Sequence, residues 1–164
     1  MDPIYINTLC LRLISGDKSA LQDLNSQHCI NVITSSGRSP LMWMASEGQT
    51  EHLVELIRNG AIVNATGEGG MTALHEAASN GHTGVLLELT KSGAHLNALT
   101  THGVTPLMCA AAWGNLDAIR ILLQHGADIN QRDRSGATAF EIALEKGEDA
   151  AAELLHATKR VPII

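Results

Sequence analysis

Aromatic residues are nearly absent from this sequence. Two Trp, one Tyr and one Phe make up 2% of 164 residues, in a chain that is 45% apolar. Small aliphatic side chains must therefore fill the interior, which suits closely stacked helices better than a β-sandwich. Cysteine is scarce as well. Cys10, Cys29 and Cys109 are odd in number, form no CxxC pair and each lie in an apolar stretch. They read as buried, reduced thiols of an intracellular protein, not as a disulfide framework. No apolar run approaches the roughly 20 residues that span a bilayer, and Met1-Asp2-Pro3 lacks the basic start and apolar core of a secretory signal. Positive charge is in the minority, with a net charge of −6. A nucleic-acid partner needs a basic face, so this balance points away from one.

Catalytic constellations are missing too. His75-Glu76 opens like a zinc-binding HExxH, but Ser79 stands where the second histidine belongs. None of the eight histidines lies at ligand spacing from a cysteine. Gly67-Glu68-Gly69-Gly70 has the glycines of a phosphate loop without the Lys-Ser/Thr that must follow. No Gly-x-Ser-x-Gly elbow occurs. The sequence therefore predicts no catalytic residue, no metal site and no cofactor, and function falls to a surface.

What the chain does contain is one unit, copied. It is complete over Thr105 to Asn130. Thr105 can cap a helix, Pro106 suits its first position, and Leu107 to Ala112 form a short apolar helix that Gly114 breaks. Asn115 can cap a second helix with Asp117 near its positive end. Ile119, Leu122 and Leu123 share one face of it, and Gly126 closes it. Helices this short cannot bury their apolar faces alone, so they need neighbours of the same kind. The neighbours recur every 33 residues: Ser39, Thr72, Thr105 and Thr138; Gly48, Gly81, Gly114 and Gly147; Gly60, Gly93 and Gly126; Asn31, Asn64, Asn97 and Asn130.

A repeat of roughly 33 residues with a Thr-Pro-Leu-His-like opening resembles the ankyrin repeat, and the resemblance covers nearly the whole chain. It implies an all-α solenoid of five helix-turn-helix repeats joined by β-turn fingers. The expected divisions are 1–34, 35–67, 68–100, 101–133 and 134–160, followed by a tail at 161–164. The first repeat diverges: Asn7, Leu9, Gly16, Leu21 and Leu24 lie 32 residues before Ser39, Leu41, Gly48, Leu53 and Leu56, and Asn7 is the expected cap of its first helix. In the last repeat Glu153 and His156 replace apolar residues of the outer helix. Both ends thus read as caps with wettable faces. The family's structural histidine is present only as His75, with Met42, Met108 and Glu141 in its place elsewhere, so repeats are expected to rely more on apolar packing.

The family's partners usually lie across the finger tips and inner helices, on the concave face. Carried over position by position, that resemblance selects Arg38, Glu68, Met71, His102 and Val104 on the fingers, and Glu47, Asn80, Trp113 and Lys146 on the inner helices; Trp43 is a further candidate, taken from its own column. Trp113 stands where its equivalents are Glu47, Asn80 and Lys146; it is either a binding hot spot or a lid over the next finger. Trp43, with equivalents Glu76, Cys109 and Ile142, is equally open to burial or contact. Resemblance also marks Asn64, Asn97 and Asn130 as finger asparagines of the kind an iron-dependent hydroxylase modifies, each with a leucine eight residues upstream. The function implied is an adaptor or scaffold that binds another protein, as a cytoplasmic monomer. The alternatives are a direct regulator of an enzyme such as a kinase, or the targeting arm of a larger protein, including a bacterial one delivered into a host's cytoplasm.

Overall fold

The computed structural model describes residues 3–17, 19–26 and 28–160. Among them, ten helices follow one another in pairs: α1 (Pro3–Ile14) and α2 (Ser19–Ser26), α3 (Pro40–Ser46) and α4 (Thr50–Arg58), α5 (Ala73–Asn80) and α6 (Thr83–Lys91), α7 (Pro106–Ala112) and α8 (Leu116–Gln124), α9 (Ala139–Lys146) and α10 (Asp149–Arg160). A single 3-10 turn, Glu68–Gly70, lies in the second finger. No strand occurs among the described residues. The first helix of each pair stacks on the next first helix, giving an inner layer α1–α3–α5–α7–α9. The second helices stack likewise as an outer layer, α4–α6–α8–α10. The tail at 161–164 lies outside the described residues.

The repeated residues explain this geometry. Ser39, Thr72 and Thr105 each accept the backbone N–H three residues on, from Met42, His75 and Met108, and so start the inner helices. Leu41, Leu74 and Leu107 are each 1% exposed, and the alanines Ala45, Ala78 and Ala111 beside them are wholly buried. Small side chains let the inner helices approach closely. Leu53, Leu56, Leu86, Leu89, Ile119 and Leu122 of the outer helices are wholly buried on the other side of the same core. Gly81 and Gly147 end their helices with φ of 70° and 76°, a left-handed turn that only glycine adopts at no steric cost.

Polar ties between repeats are more numerous than the scarcity of the structural histidine predicts. Asn31 and Asn64 each grip the following repeat at two points, donating to the carbonyls of Gly60 and Gly93 (3.0 Å each) and accepting from the N–H groups of Ile62 and His95 (2.8 Å each). Asn97 accepts from the Asp128 N–H at 2.8 Å. His82 and Asn115 reach back from the start of one outer helix to the carbonyls ending the inner helix of the preceding repeat: His82 Nε2 to Ser46 O at 2.9 Å, Asn115 Nδ2 to Ala78 O and Ser79 O at 2.9 and 2.8 Å. These bonds satisfy carbonyls that every helix end leaves without an internal partner. At the N-terminus the structure departs from expectation. α1 begins at Pro3, so Asn7 lies within it and does not cap it; its amide donates to Ser35 Oγ.

Candidate functional site

Each finger is a tight turn closed on itself, with N–H donors from Thr34, Gly67, Thr100 and Asp133 to the carbonyls of Arg38, Met71, Val104 and Ala137. Successive fingers are then laced by backbone bonds: Glu68 N–H to Gly37 O (2.8 Å), Thr101 N–H to Gly69 O (2.8 Å) and Arg134 N–H to His102 O (3.0 Å). The approach is close. A Cβ on Gly67 would sit 2.2 Å from the Gly37 carbonyl, which excludes any side chain there. The fingers therefore form one continuous edge on which variable side chains are held at fixed spacing.

His75 anchors this edge to the inner helices. Its ring is wholly buried. Nδ1 accepts from the Thr72 N–H at 3.2 Å and lies 2.8 Å from Thr72 Oγ1, and Nε2–H donates to the Val104 carbonyl of the next finger at 3.0 Å. Burial holds its pKa below the ordinary histidine value, although the Val104 and Ala98 carbonyls oppose that shift. At the equivalent places Met108 Sδ takes the Thr105 N–H at 3.4 Å, while Glu141 accepts both the N–H and the hydroxyl of Thr138. Among these described residues, it is His75 that hydrogen-bonds both its own cap and the following finger.

Four of the residues selected from sequence come together between the first two fingers. Arg38, Glu68 and Met71 line a groove of about 320 Å³. The Arg38 guanidinium lies 6.0 Å over the Trp43 ring. The residue that organises them was not selected: Glu76, only 6% exposed, receives Arg38 in a two-point ion pair, Nε to Oε1 at 2.9 Å and Nη2 to Oε2 at 3.3 Å. Burial raises the Glu76 pKa and Arg38 opposes that rise. The pair spans 38 residues, from one finger to the next inner helix, a separation that no local motif marks. Trp43 is half-buried, with an indole N–H that is buried and has no hydrogen-bond partner among the described residues. It both packs on the core and forms part of the surface.

The other selected residues form a row, not a cluster. Glu47, Asn80, Trp113 and Lys146 each sit at the C-terminal end of an inner helix, and all are exposed. Trp113 is 69% exposed. A ring acting as a lid would lose most of its own exposure, so the geometry does not favour that reading. Asn80 donates to the Glu76 carbonyl at 2.9 Å. His102 is exposed and Val104 half-buried. Of the finger asparagines, Asn64 and Asn97 are engaged in the inter-repeat bonds above, whereas the exposed Asn130 side chain makes no such bond among the described residues. Ser79, Cys109 and Glu76 sit together on the inner layer, and burial pushes the Cys109 thiol up to about 11, a value at which it stays protonated and unreactive. No group of three or more potential metal ligands occurs among the described residues. No helix there is long and apolar enough to cross a membrane.

The stack of paired helices and the laced fingers follow from one 33-residue unit, and the buried Thr72–His75 tie is carried by one copy of it. No curated protein matches the chain. The family model for ankyrin repeats, built of three copies, matches residues 7–100 and again 96–162. The chain belongs to the ankyrin-repeat family, whose members are generally protein–protein interaction modules.

Proposed function

We propose that this protein works without catalysis, as a monomer that holds another protein across its fingers and inner helices. The observation that carries the reading is Trp113, an indole 69% exposed at a position where the other repeats place Glu47, Asn80 and Lys146. Exposed aromatic surface of that size is costly in water unless a partner covers it. Met71 and Val104, half-buried on neighbouring fingers, add apolar area, and Arg38, Glu47, Glu68, Asn80, His102 and Lys146 supply a mixed polar rim. Trp43 and Glu76 lock Arg38 in place and so fix one side of that rim. The net charge of −6 supports a protein partner over nucleic acid, and the thiols of Cys10 and Cys109, pushed up to about 12 and about 11, suit the reducing cytoplasm.

The test is an affinity capture from lysate with wild type and a Met71→Ala/Trp113→Ala variant, the fold of each checked by circular dichroism. A protein held by wild type and lost by the variant identifies the partner, and its affinity should fall by more than about 2 kcal/mol. Equal capture by both removes Trp113 from the site. A second reading, direct inhibition of an enzyme, is distinguished by rate: an inhibitor slows the captured partner, whereas an adaptor leaves its turnover unchanged.

A further inference from the structure

The two ends of the stack are finished differently. In α1, Arg12 occupies the place whose counterparts Met44, Ala77, Ala110 and Ala143 are all wholly buried. It is half-buried there and tied to Asp17 at 2.8 Å and Asp23 at 3.1 Å, a polar closure of that end. At the other end the outer helix is polar but the inner helix is not. Phe140 follows Leu41, Leu74 and Leu107, which the next repeat buries to 1% exposure; Leu144 follows Ala45, Ala78 and Ala111, which are wholly buried. Leu144 is 51% exposed. A cap should carry a polar residue here. This one instead enlarges the apolar side chain from alanine to leucine.

Phe140 and Leu144 form the floor of a groove of about 350 Å³, closed on the other side by Asp149, Ala152, Glu153 and His156 of α10. The floor is an i, i+4 apolar stripe and the wall an i, i+4 carboxylate stripe, side by side. We propose that this groove is a second docking surface and that its occupant is a cationic amphipathic helix of a partner protein. The same face of every earlier inner helix receives another helix, so its shape suits one. The apolar stripe of that helix meets Phe140 and Leu144, and its Lys or Arg flank meets Asp149 and Glu153. A second copy of this chain fits less well. Two such ends face to face would oppose Asp149 and Glu153 with the same carboxylates, and the opposite end presents Arg12 with its charge already paired. The surface is independent of Trp113.

The probe is a synthetic amphipathic helix of about 18 residues, with a Leu/Ala stripe flanked by Lys, beside a second peptide carrying Glu for each Lys. Fluorescence anisotropy follows each against wild type, Leu144→Ser, Glu153→Lys and Trp113→Ala. Both end-face positions are exposed, so these variants should keep the fold, which circular dichroism checks. The Lys peptide should bind wild type and Trp113→Ala alike, about tenfold more weakly to Leu144→Ser, and about fivefold more weakly to Glu153→Lys. The Glu peptide should bind Glu153→Lys better than wild type. Absent binding, equal binding of both peptides to wild type, or indifference to both end-face substitutions overturns the proposal. Sedimentation of wild type as a dimer that Leu144→Ser dissolves also overturns it, because the occupant is then a second copy.

Discussion

Replacing His75 by methionine puts the side chain of the neighbouring repeats, Met42 and Met108, into the one place where histidine ties a cap to the next finger. Two sets of contacts change. The bond from Nε2 to the Val104 carbonyl disappears, but that carbonyl also accepts the Thr100 N–H at 3.0 Å and is not left bare. The Thr72 N–H loses Nδ1 and gains a sulfur acceptor of the kind Met108 offers Thr105 at 3.4 Å. The loss is therefore that of one neutral hydrogen bond and the weakening of another, about 1–2 kcal/mol, and not the full cost of buried unpaired groups. Proton linkage supplies a second, sharper signature. Burial depresses the His75 pKa below 6.5, so the folded state prefers the neutral ring. That preference stabilises the fold fully above the unfolded value of 6.5 and is lost as pH falls below it towards the folded value. Urea unfolding of wild type and His75→Met at about pH 7.5 and about pH 5.5 reads both effects. The variant should be weaker at the higher pH, and the gap should narrow at the lower one. A constant gap would show that His75 does not titrate on unfolding, and equal stability at the higher pH would refute the tie itself.

Glu148 stands where His82 and Asn115 donate to the preceding inner helix, but an ionised carboxylate only accepts; it packs against Gly114, where a Cβ would meet its Oε2. Glu148→Asn should raise stability by about 0.5–1.5 kcal/mol in urea unfolding, and an unchanged midpoint would mean the α7 carbonyls need no donor. Asn64→Ala removes two bonds to the next repeat and should cost about 1–3 kcal/mol, whereas Asn130→Ala, with no such bond among the described residues, should stay within about 0.5 kcal/mol of wild type. For the same reason Asn130 is the site we expect any finger hydroxylation to reach first, read as a mass gain of about 16 on its peptide; modification of Asn64 alone would contradict this. Arg38→Ala leaves the Glu76 carboxylate buried without its partner and should destabilise by about 1–3 kcal/mol, with Glu76→Gln in the same chain restoring most of the loss. No recovery would mean that Arg38 acts through its packing on Trp43.

The stacked fold was legible because the residues that stack repeats recur within the chain itself. Leucine, alanine, glycine, threonine and asparagine return at a fixed step wherever one repeat must meet the next, and each return repeats the same physical demand. Asn7 misled where that step shortens. As a counterpart of Ser39 it reads as a cap, yet α1 starts four residues earlier, and its polar group instead reaches Ser35 across the repeat boundary. The reach of His82 and Asn115 was hidden for another reason. Histidine and asparagine share no sequence pattern, only the ability to donate to a carbonyl 36 or 37 residues back.

The proposed binding surface was less legible because it occupies the columns that the stack leaves free. Trp43, Glu76, Cys109 and Ile142 share one column and have no chemistry in common. Stacking alone cannot dictate four such different residues, so something outside the core must account for the variation. Glu76 shows that this outside demand need not be a partner's. Its carboxylate is taken up by Arg38 from the preceding repeat, and Arg38 in turn covers Trp43, so three variable positions are settled among themselves. Trp113 has no such settlement. It is an indole left 69% in water at the end of a seven-residue helix, in the repeat that otherwise follows the common pattern most closely. Variation satisfied within the chain contributes to stability, and variation left open to solvent contributes to recognition. By that criterion Trp113 on the inner helices and Leu144 on the last of them, 69% and 51% exposed, are the residues we propose for partners.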